Sequence, residues 1–164
     1  MESNNSEMQV LGIKTVEEEV IHEERVITFK LNEELIGIDI NDITKITKDV
    51  EITPVPKTKN YILGVMNLRG NIIPVVSLKK MFKLEDKEQD YDLPIVIVVE
   101  SELGQIGITV DNIEGAVKIS PEDIQQPPMN AIGIDSEYIK GVVMLSDELL
   151  ILLDIKKIFR KEDK

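Results

Sequence analysis

A repeat within the chain constrains its fold more than any other feature of the sequence. Residues 61–83 align with residues 138–160 without a gap, at a constant offset of 77, and eight of the 23 aligned positions are identical. Many of the other positions exchange one aliphatic residue for another, and residues 37–43 resemble residues 107–113. Self-similarity of this kind is typical of a structural unit that occurs twice. The repeat therefore predicts two similar lobes.

Short apolar or alternating runs follow one another from residue 25 onward, separated by Gly, Asn, Asp or Pro. Because Ile and Val dominate these runs, each run predicts a strand. The predicted strands are 26–31, 35–40, 62–68, 72–77, 94–100, 105–110, 115–119, 140–145 and 149–153. Many short strands at this spacing favour barrels or a sandwich.

Few segments predict helix. Asn41 or Asp42 can cap one short turn that runs to about residue 46, and residues 120–123 carry an N-terminal cap followed by proline. Residues 78–84 and 154–160 could each form about two helical turns. The acidic, unpatterned segment 85–92 predicts a linker between the lobes.

Composition excludes several classes of function. The net charge of −12 and the aromatic content of 4% argue against nucleic-acid binding, which needs clustered cations and stacking surfaces. The chain has no cysteine, and its one histidine is His22, so neither a thiol site, a histidine triad nor a typical zinc site can be assembled. No run is long enough to cross a bilayer, and the first residues do not form a signal peptide. A cytoplasmic protein without cofactor or metal is expected.

Carboxylates are numerous, so a paired-carboxylate enzyme acting between the lobes stays open as an alternative. Most acidic runs fall in the predicted lead-in or linker, where charge runs are usually solvated. Asp39 and Asp111 instead end predicted strands, and they are expected to hold the following turn by accepting backbone hydrogen bonds. A third class of function is a ligand sensor that binds a small molecule between the lobes.

Two features are candidates for binding. The hairpin tip 67–71 differs from its counterpart 144–148 although the flanking strands are preserved, so the fold of the lobe does not require Arg69. The alternative interpretation, in which Arg69 is an exposed turn residue without a binding role, is equally favoured. Ile40, Ile43 and Ile46 have a spacing that places them near one face, although core packing is the more usual reason for such a pattern.

A known family pattern occurs in seven segments of the chain: 29–31, 37–40, 52–56, 64–76, 107–111, 138–142 and 152–154. Its most specific piece is the Asn-Leu-Arg-Gly tip followed by Pro-Val-Val. On these segments, residues 26–159, which are nearly the whole chain, resemble the CheW family, the coupling proteins of bacterial chemotaxis.

This resemblance implies a mostly β fold of two five-stranded SH3-like barrels packed side by side, with short helices. It also implies a non-enzymatic adaptor that bridges the helical tips of chemoreceptors, at membrane-bound receptor clusters, to the regulatory domain of the CheA histidine kinase. In the family, receptor helices lie in an apolar groove between the barrels. Its lining here, called the isoleucine set, would be Ile27, Ile40, Ile43, Ile46 and Ile113. The coupling hairpin would comprise Gly64, Asn67, Leu68, Arg69 and Gly70.

Two positions depart from the family pattern. Ser77 stands where Asp is frequent, and Lys45 stands beside the expected groove where an acidic residue is frequent. Ser caps helices well, so Ser77 is expected to be tolerated. The regulatory domain of the kinase shares this fold, so a kinase-regulatory or ligand-sensing module in another chemosensory pathway remains the alternative.

The expected organisation is a partly disordered acidic lead-in over 1–24, a single domain over 25–160 and a polar tail over 161–164. Within the domain, lobe one is expected at about 25–85 and lobe two at about 90–160.

Overall fold

The computed structural model describes residues 23–84, 95–127 and 133–161. Almost all of the predicted lead-in, most of the tail and the predicted linker lie outside these residues. All nine predicted strands are present within three residues of the expected bounds, and the described residues contain one further strand.

The first of two five-stranded sheets takes its strands from both ends of the chain. Its central strands alternate buried and exposed side chains or are buried throughout, as expected for residues rich in Ile, Val and Leu. The order across the sheet is β8-β1-β2-β10-β9. These strands are β1 (Glu24–Leu31), β2 (Glu34–Asp39), β8 (Asn112–Ile119), β9 (Ile139–Leu145) and β10 (Glu148–Leu153).

The second sheet takes all its strands from the middle of the chain, in the order β3-β6-β7-β5-β4. One short helix follows the last strand of each repeat copy: α1 (Leu78–Met81) follows β5, and α2 (Ile155–Ile158) follows β10. The strands are β3 (Ile43–Thr47), β4 (Ile62–Leu68), β5 (Asn71–Ser77), β6 (Ile95–Ser101) and β7 (Gly104–Val110). The mostly β fold with two five-stranded units and short helices is confirmed.

The predicted division into lobes at 25–85 and 90–160 is wrong, because the two repeat copies exchange strands. The hairpin β1-β2 of the first copy lies in one sheet with β8, β9 and β10 of the second copy. Four strand pairs join the copies: the antiparallel pairs β1 with β8 and β3 with β6, and the parallel pairs β2 with β10 and β5 with β7. Strands adjacent in sequence pair antiparallel through tight turns, so a parallel partner must arrive from a distant part of the chain. Sequence similarity identifies the copies but does not reveal which copy supplies that partner.

Three apolar clusters hold the fold together. Two of them each contain buried strand residues of a single sheet: an interior cluster around Leu150 in the first sheet, and an interior cluster around Val75 in the second. The largest contains buried residues of both sheets, including Phe29 of β1 and Ile97 of β6. We call it the shared core. Burial of this much aliphatic surface is the main favourable term for folding. Because the shared core contains residues of both sheets, it makes the two sheets one structural unit.

The predicted helical turn over residues 41–46 is wrong. Only Ile40–Asp42 form a 3₁₀ turn, and the next residues form β3. The Asp39 carboxylate accepts a hydrogen bond from the Asn41 amide at 2.9 Å, as expected, but the turn ends at once. Ile43 and Thr47 are β-branched and pair with β6, so tertiary pairing outweighs the local cap signal.

Candidate functional site

The isoleucine set borders the shared core. Ile27, Ile43 and Ile113 are half-buried and pack against that core from β1, β3 and β8. Ile40 lies in the turn that approaches both β1 and β6, and its residue surface is 39% exposed. Ile46 is 38% exposed. Large aliphatic side chains left this open beside a core can contact a partner.

A β-bulge places Ile43 and Ile46 on one face of the second sheet. Paired residues point to the same face, and an odd separation along a regular strand would put these two on opposite faces. The register instead shifts after Ile43, which pairs with Val99 while Ile46 pairs with Ile97. Val99 and Ile97 are two residues apart in β6 and both belong to the shared core. The extra residue, Thr44, therefore aligns the two isoleucines.

The first sheet contains the matching bulge at the equivalent position of the repeat. Ile113 pairs with Phe29 and Ala116 pairs with Ile27, with the register shift between Thr28 and Phe29. The same irregularity thus occurs at the start of β3 and of β8, and both bulges turn an isoleucine toward the shared core. This repeated geometry could not be inferred from the helical spacing that first drew attention to residues 40, 43 and 46.

Lys45 does not lie on the face of the isoleucine set, contrary to expectation. It pairs with Val98, which belongs to the interior cluster of the second sheet. The bulge that aligns Ile43 with Ile46 turns Lys45 away from them. The other departure, Ser77, behaves as expected: its hydroxyl accepts a hydrogen bond from the Lys80 amide at 3.2 Å and begins α1.

The tip of the coupling hairpin is a two-residue turn. Arg69 and Gly70 both have positive φ, 53° and 86°, the signature of the tight turns that match strand twist. The Asn67 side-chain oxygen accepts a hydrogen bond from the Gly70 amide at 2.9 Å. Arg69 is exposed and makes no ion pair within the described part of the chain. Leu68 is half-buried at the end of β4.

Gly64 has a different environment from the tip. A Cβ atom at this position would lie 2.2 Å from the Thr53 carbonyl oxygen, which is backbone and cannot move aside alone. Thr53 and Val65 exchange two backbone hydrogen bonds, at 2.8 and 2.9 Å. These bonds attach the segment after β3 to the free edge of β4. Gly64 is therefore required for a backbone approach.

An exposed apolar residue that sequence analysis missed lies beside the hairpin tip. Ile72 is 63% exposed and pairs with Asn67 across the hairpin. Its counterpart in the other copy is Leu149, which is half-buried. Alternation along β5 would have indicated that Ile72 faces away from the buried Ile73, but not that its face is uncovered.

The described residues provide little for catalysis. They contain no group of three or more His, Asp or Glu side chains that could hold a metal ion, and His22 lies outside them. Among their helices, none has the length and apolarity needed to span a membrane. The isoleucine set presents methyl groups where the enzyme alternative requires a pair of carboxylates.

One carboxylate beside Ile40 is perturbed. Burial, followed by the nearby Asp39 carboxylate, raises the pKa of Asp42 above its ordinary value of 3.8, whereas Lys140 and Lys156 lower it. An acid whose pKa is raised on folding contributes stability below its ordinary pKa, and that contribution is lost as the pH rises through the raised value.

We therefore expect Asp42→Asn to unfold at a higher temperature than the unsubstituted protein at pH 7, with this gain shrinking as the pH falls toward 3.8. Thermal unfolding followed by circular dichroism at several pH values measures it. Glu51→Gln, at an exposed position, is the control. A gain that is independent of pH would contradict the electrostatic cause.

Comparison with known proteins identifies a matching family, similar sequences and a similar structure. The CheW-like domain family matches residues 25–163. The chain is 38% identical over 142 residues to chemotaxis protein CheW of Treponema pallidum (strain Nichols), covering 85% of this chain and 84% of that protein. It is 32% identical over 155 residues to chemotaxis protein CheW of Klebsiella aerogenes, covering 93% and 92%. The crystal structure of scaffolding protein TtCheW from Thermoanaerobacter tengcongensis superposes with a TM-score of 0.77 at 34% identity, covering 86% of this chain and 95% of that one.

Proposed function

The chain belongs to the CheW family of non-enzymatic chemotaxis scaffolds, and from this premise we propose that it couples chemoreceptors to the regulatory domain of the CheA histidine kinase. One surface binds the helical tip of a receptor and another binds the kinase. Control of the kinase then follows from the receptor state through contacts alone. The protein acts in the cytoplasm, where it is recruited to receptor clusters at the membrane.

The receptor surface of this proposal is the isoleucine set. The observation that carries it is the pair of matched bulges, which turn aliphatic side chains from both sheets toward the border of the shared core. Ile40 and Ile46 remain well exposed there. An amphipathic helix binds by laying aliphatic residues against such a surface, with buried area providing most of the affinity.

The kinase surface of this proposal is the end of the second sheet around the coupling hairpin. Exposed Arg69 lies at its tip, and Ile72 provides a large apolar side chain that is 63% exposed. Arginine is enriched among the residues that anchor protein interfaces. The kinase regulatory domain has the same architecture, so contacts between the ends of similar barrels are proposed.

Charge reversal at the hairpin tests this assignment. Arg69→Glu is expected to weaken co-sedimentation with a kinase-regulatory fragment at least about tenfold, because an interface anchor is lost. Thermal unfolding should be nearly unchanged, since Arg69 is exposed. Ser146→Glu, at the equivalent turn of the other copy, is the matched control. Normal binding by Arg69→Glu would remove the hairpin from the site.

A charged side chain in the isoleucine set tests the receptor surface separately. Ile43→Asp is expected to abolish receptor-fragment binding, because a desolvated carboxylate would face an apolar helix. Since Ile43 is half-buried, the more exposed Ile46→Asp distinguishes lost binding from lost folding. Leu103→Asp, which changes an aliphatic residue that is 53% exposed in the β6–β7 hairpin, is the control. Receptor binding by folded Ile46→Asp equal to that of the unsubstituted protein would contradict the proposal.

A cavity favours the ligand-sensing alternative as a second candidate. It has a volume of about 370 Å³ and lies between the second sheet and the end of α2. Tyr61, Met81 and Ile158 are among its apolar walls, and the charged residues among its described lining are Lys59 and Arg160. This volume falls within the range of ligand pockets. A medium-chain fatty acid that raises the unfolding temperature, with the effect lost in Lys59→Glu, would support this function, and no shift would dismiss it.

A further inference from the structure

Two crossovers carry the chain from one sheet to the other, and they are equivalent in the repeat. The first, Ile40–Asp42, joins β2 to β3 and leads directly into Ile43. The second is Asp111, which joins β7 to β8 and precedes Ile113 by two residues. Each crossover therefore determines where one isoleucine of the set begins its strand. Asp111 aligns with Asn41 in the repeat.

The second crossover is held by buried charge. The Asp111 Oδ1 atom lies 2.9 Å from the Lys79 Nζ atom, and these side chains are only 8% and 7% exposed. The Asp111 Oδ2 atom accepts a hydrogen bond from the Asn32 amide at 3.0 Å. The Asp111 amide donates a hydrogen bond to the Lys30 carbonyl oxygen at 3.3 Å. One residue thus ties the crossover to α1 and to the β1–β2 hairpin.

The first crossover has no such attachment among the described residues. The counterparts of Asp111 and Lys79 are Asn41 and Lys156, and both are exposed. A local hydrogen bond from the Asn41 amide to Asp39 closes the turn, and the Lys140 Nζ atom lies 3.7 Å from the Asp39 carboxylate at a partly exposed site. Ion pairs this open to solvent contribute little to stability.

The apolar neighbours show the same asymmetry. Ile40, in the first crossover, is 39% exposed, whereas its repeat equivalent Val110 is 4% exposed. Breaking a buried ion pair leaves an uncompensated charge and is far more costly than breaking a surface pair. Local opening should therefore be frequent at the first crossover and rare at the second.

We propose that Lys79 and Asp111 are positioning residues that hold Ile113 as a fixed side of the partner-binding surface, while residues 40–46 form the side that adjusts to the bound helix. The fixed side keeps the register of β8 in the free protein. The adjustable side lets one surface accept helices with different side chains. The adjustment rests on the proposed receptor function; the difference in local stability does not.

Amide hydrogen exchange of the free, full chain tests the difference directly. Amides in residues 40–44 are expected to exchange at least about tenfold faster than those in residues 110–114, because exchange reports local opening. Equal protection of the two segments would overturn the proposal.

Asp111→Asn gives the second crossover the residue type found at the equivalent position of the first, Asn41. Exchange in residues 110–114 should rise by about tenfold or more, toward that of residues 40–44. Lys79→Arg should keep the native protection, since the charge is retained. If Asp111→Asn does not fold because the Lys79 ammonium loses its ion pair with Asp111, the double variant Lys79→Met with Asp111→Asn removes both charges. Native protection of residues 110–114 in a folded variant without the ion pair would overturn the positioning role.

Addition of a receptor-tip fragment separates this proposal from the proposed function. Slower exchange confined to residues 40–46 supports an adjustable side, whereas equal slowing in residues 110–114 contradicts it. A fragment that does not bind the unsubstituted protein defeats the receptor function, and the exchange difference in the free protein then stands or falls by itself.

Discussion

Either half of the chain alone is expected to remain unfolded, whereas the whole chain cut between Leu84 and Ile95 should stay folded. The reason is the exchange of strands between the repeat copies. A fragment that ends near residue 90 contains β1 and β2 without their partners β8 and β10. Ile36 and Ile151, which pair across β2 and β10 and are 0% exposed, would face water in separate fragments.

A protease site inserted between residues 84 and 95 provides the measurement. After cleavage, the two fragments should co-elute in size-exclusion chromatography and unfold in one cooperative transition. Expressed separately, neither fragment should show a cooperative transition, and mixing them should restore it. A cooperative transition in the fragment over residues 1–90 alone would contradict the exchanged topology.

Gly64→Ala is expected to destabilise the protein by about 3 kcal/mol, because overpacking against backbone cannot be relieved by a side-chain rotation. The added Cβ would lie 2.2 Å from the Thr53 carbonyl oxygen. The strand segment at Thr53 must then separate from Val65, with loss of two backbone hydrogen bonds. Chemical denaturation measures the change in free energy of unfolding.

Two other glycines give a graded control. At Gly141 a Cβ would lie 2.4 Å from the Ile124 Cγ2 atom, which belongs to a side chain that can rotate, and 2.9 Å from the Gln125 carbonyl oxygen. Because this backbone contact is longer than the 2.2 Å contact at Gly64, a smaller loss is expected. At Gly70 nothing lies within 4 Å, and only the cost of a positive φ remains, about 1 kcal/mol. If Gly64→Ala costs no more than Gly70→Ala, the close approach is not a constraint. If Gly64→Ala instead costs more than Gly70→Ala, any loss of coupling in a Gly64 variant is expected to follow from its loss of stability.

Local sequence predicted the elements well and their partners poorly. Runs of Val and Ile predicted nine of the ten strands, because β-branched residues in alternation report half-buried strands wherever they lie. The strand β3 was missed because Asn41 and Asp42 resemble helix caps, whereas the pairing of Ile43 with Val99 decides the outcome. Which strands pair with each other is decided by contacts between residues far apart in the chain.

The candidate site was predicted by resemblance and only partly by pattern. Ile27, Ile43 and Ile113 pack against the shared core, but the register there depends on bulges that no spacing rule anticipates. Lys45 was misplaced for the same reason. Lys79 and Lys156 are identical residues at aligned positions of the repeat, yet Lys79 is buried in an ion pair and Lys156 is exposed. Burial arises from the surrounding fold.

The parallel pairs β2-β10 and β5-β7 also bear on how such a chain can originate. One copy of the repeat contains all five strand types, yet it donates some of them to its neighbour, as a protomer does in a domain-swapped homodimer. An ancestral single copy would therefore assemble only above a threshold concentration. Gene duplication with fusion makes that association intramolecular and independent of concentration. The two copies can then diverge, and in this chain one crossover has a buried ion pair whereas the other is exposed.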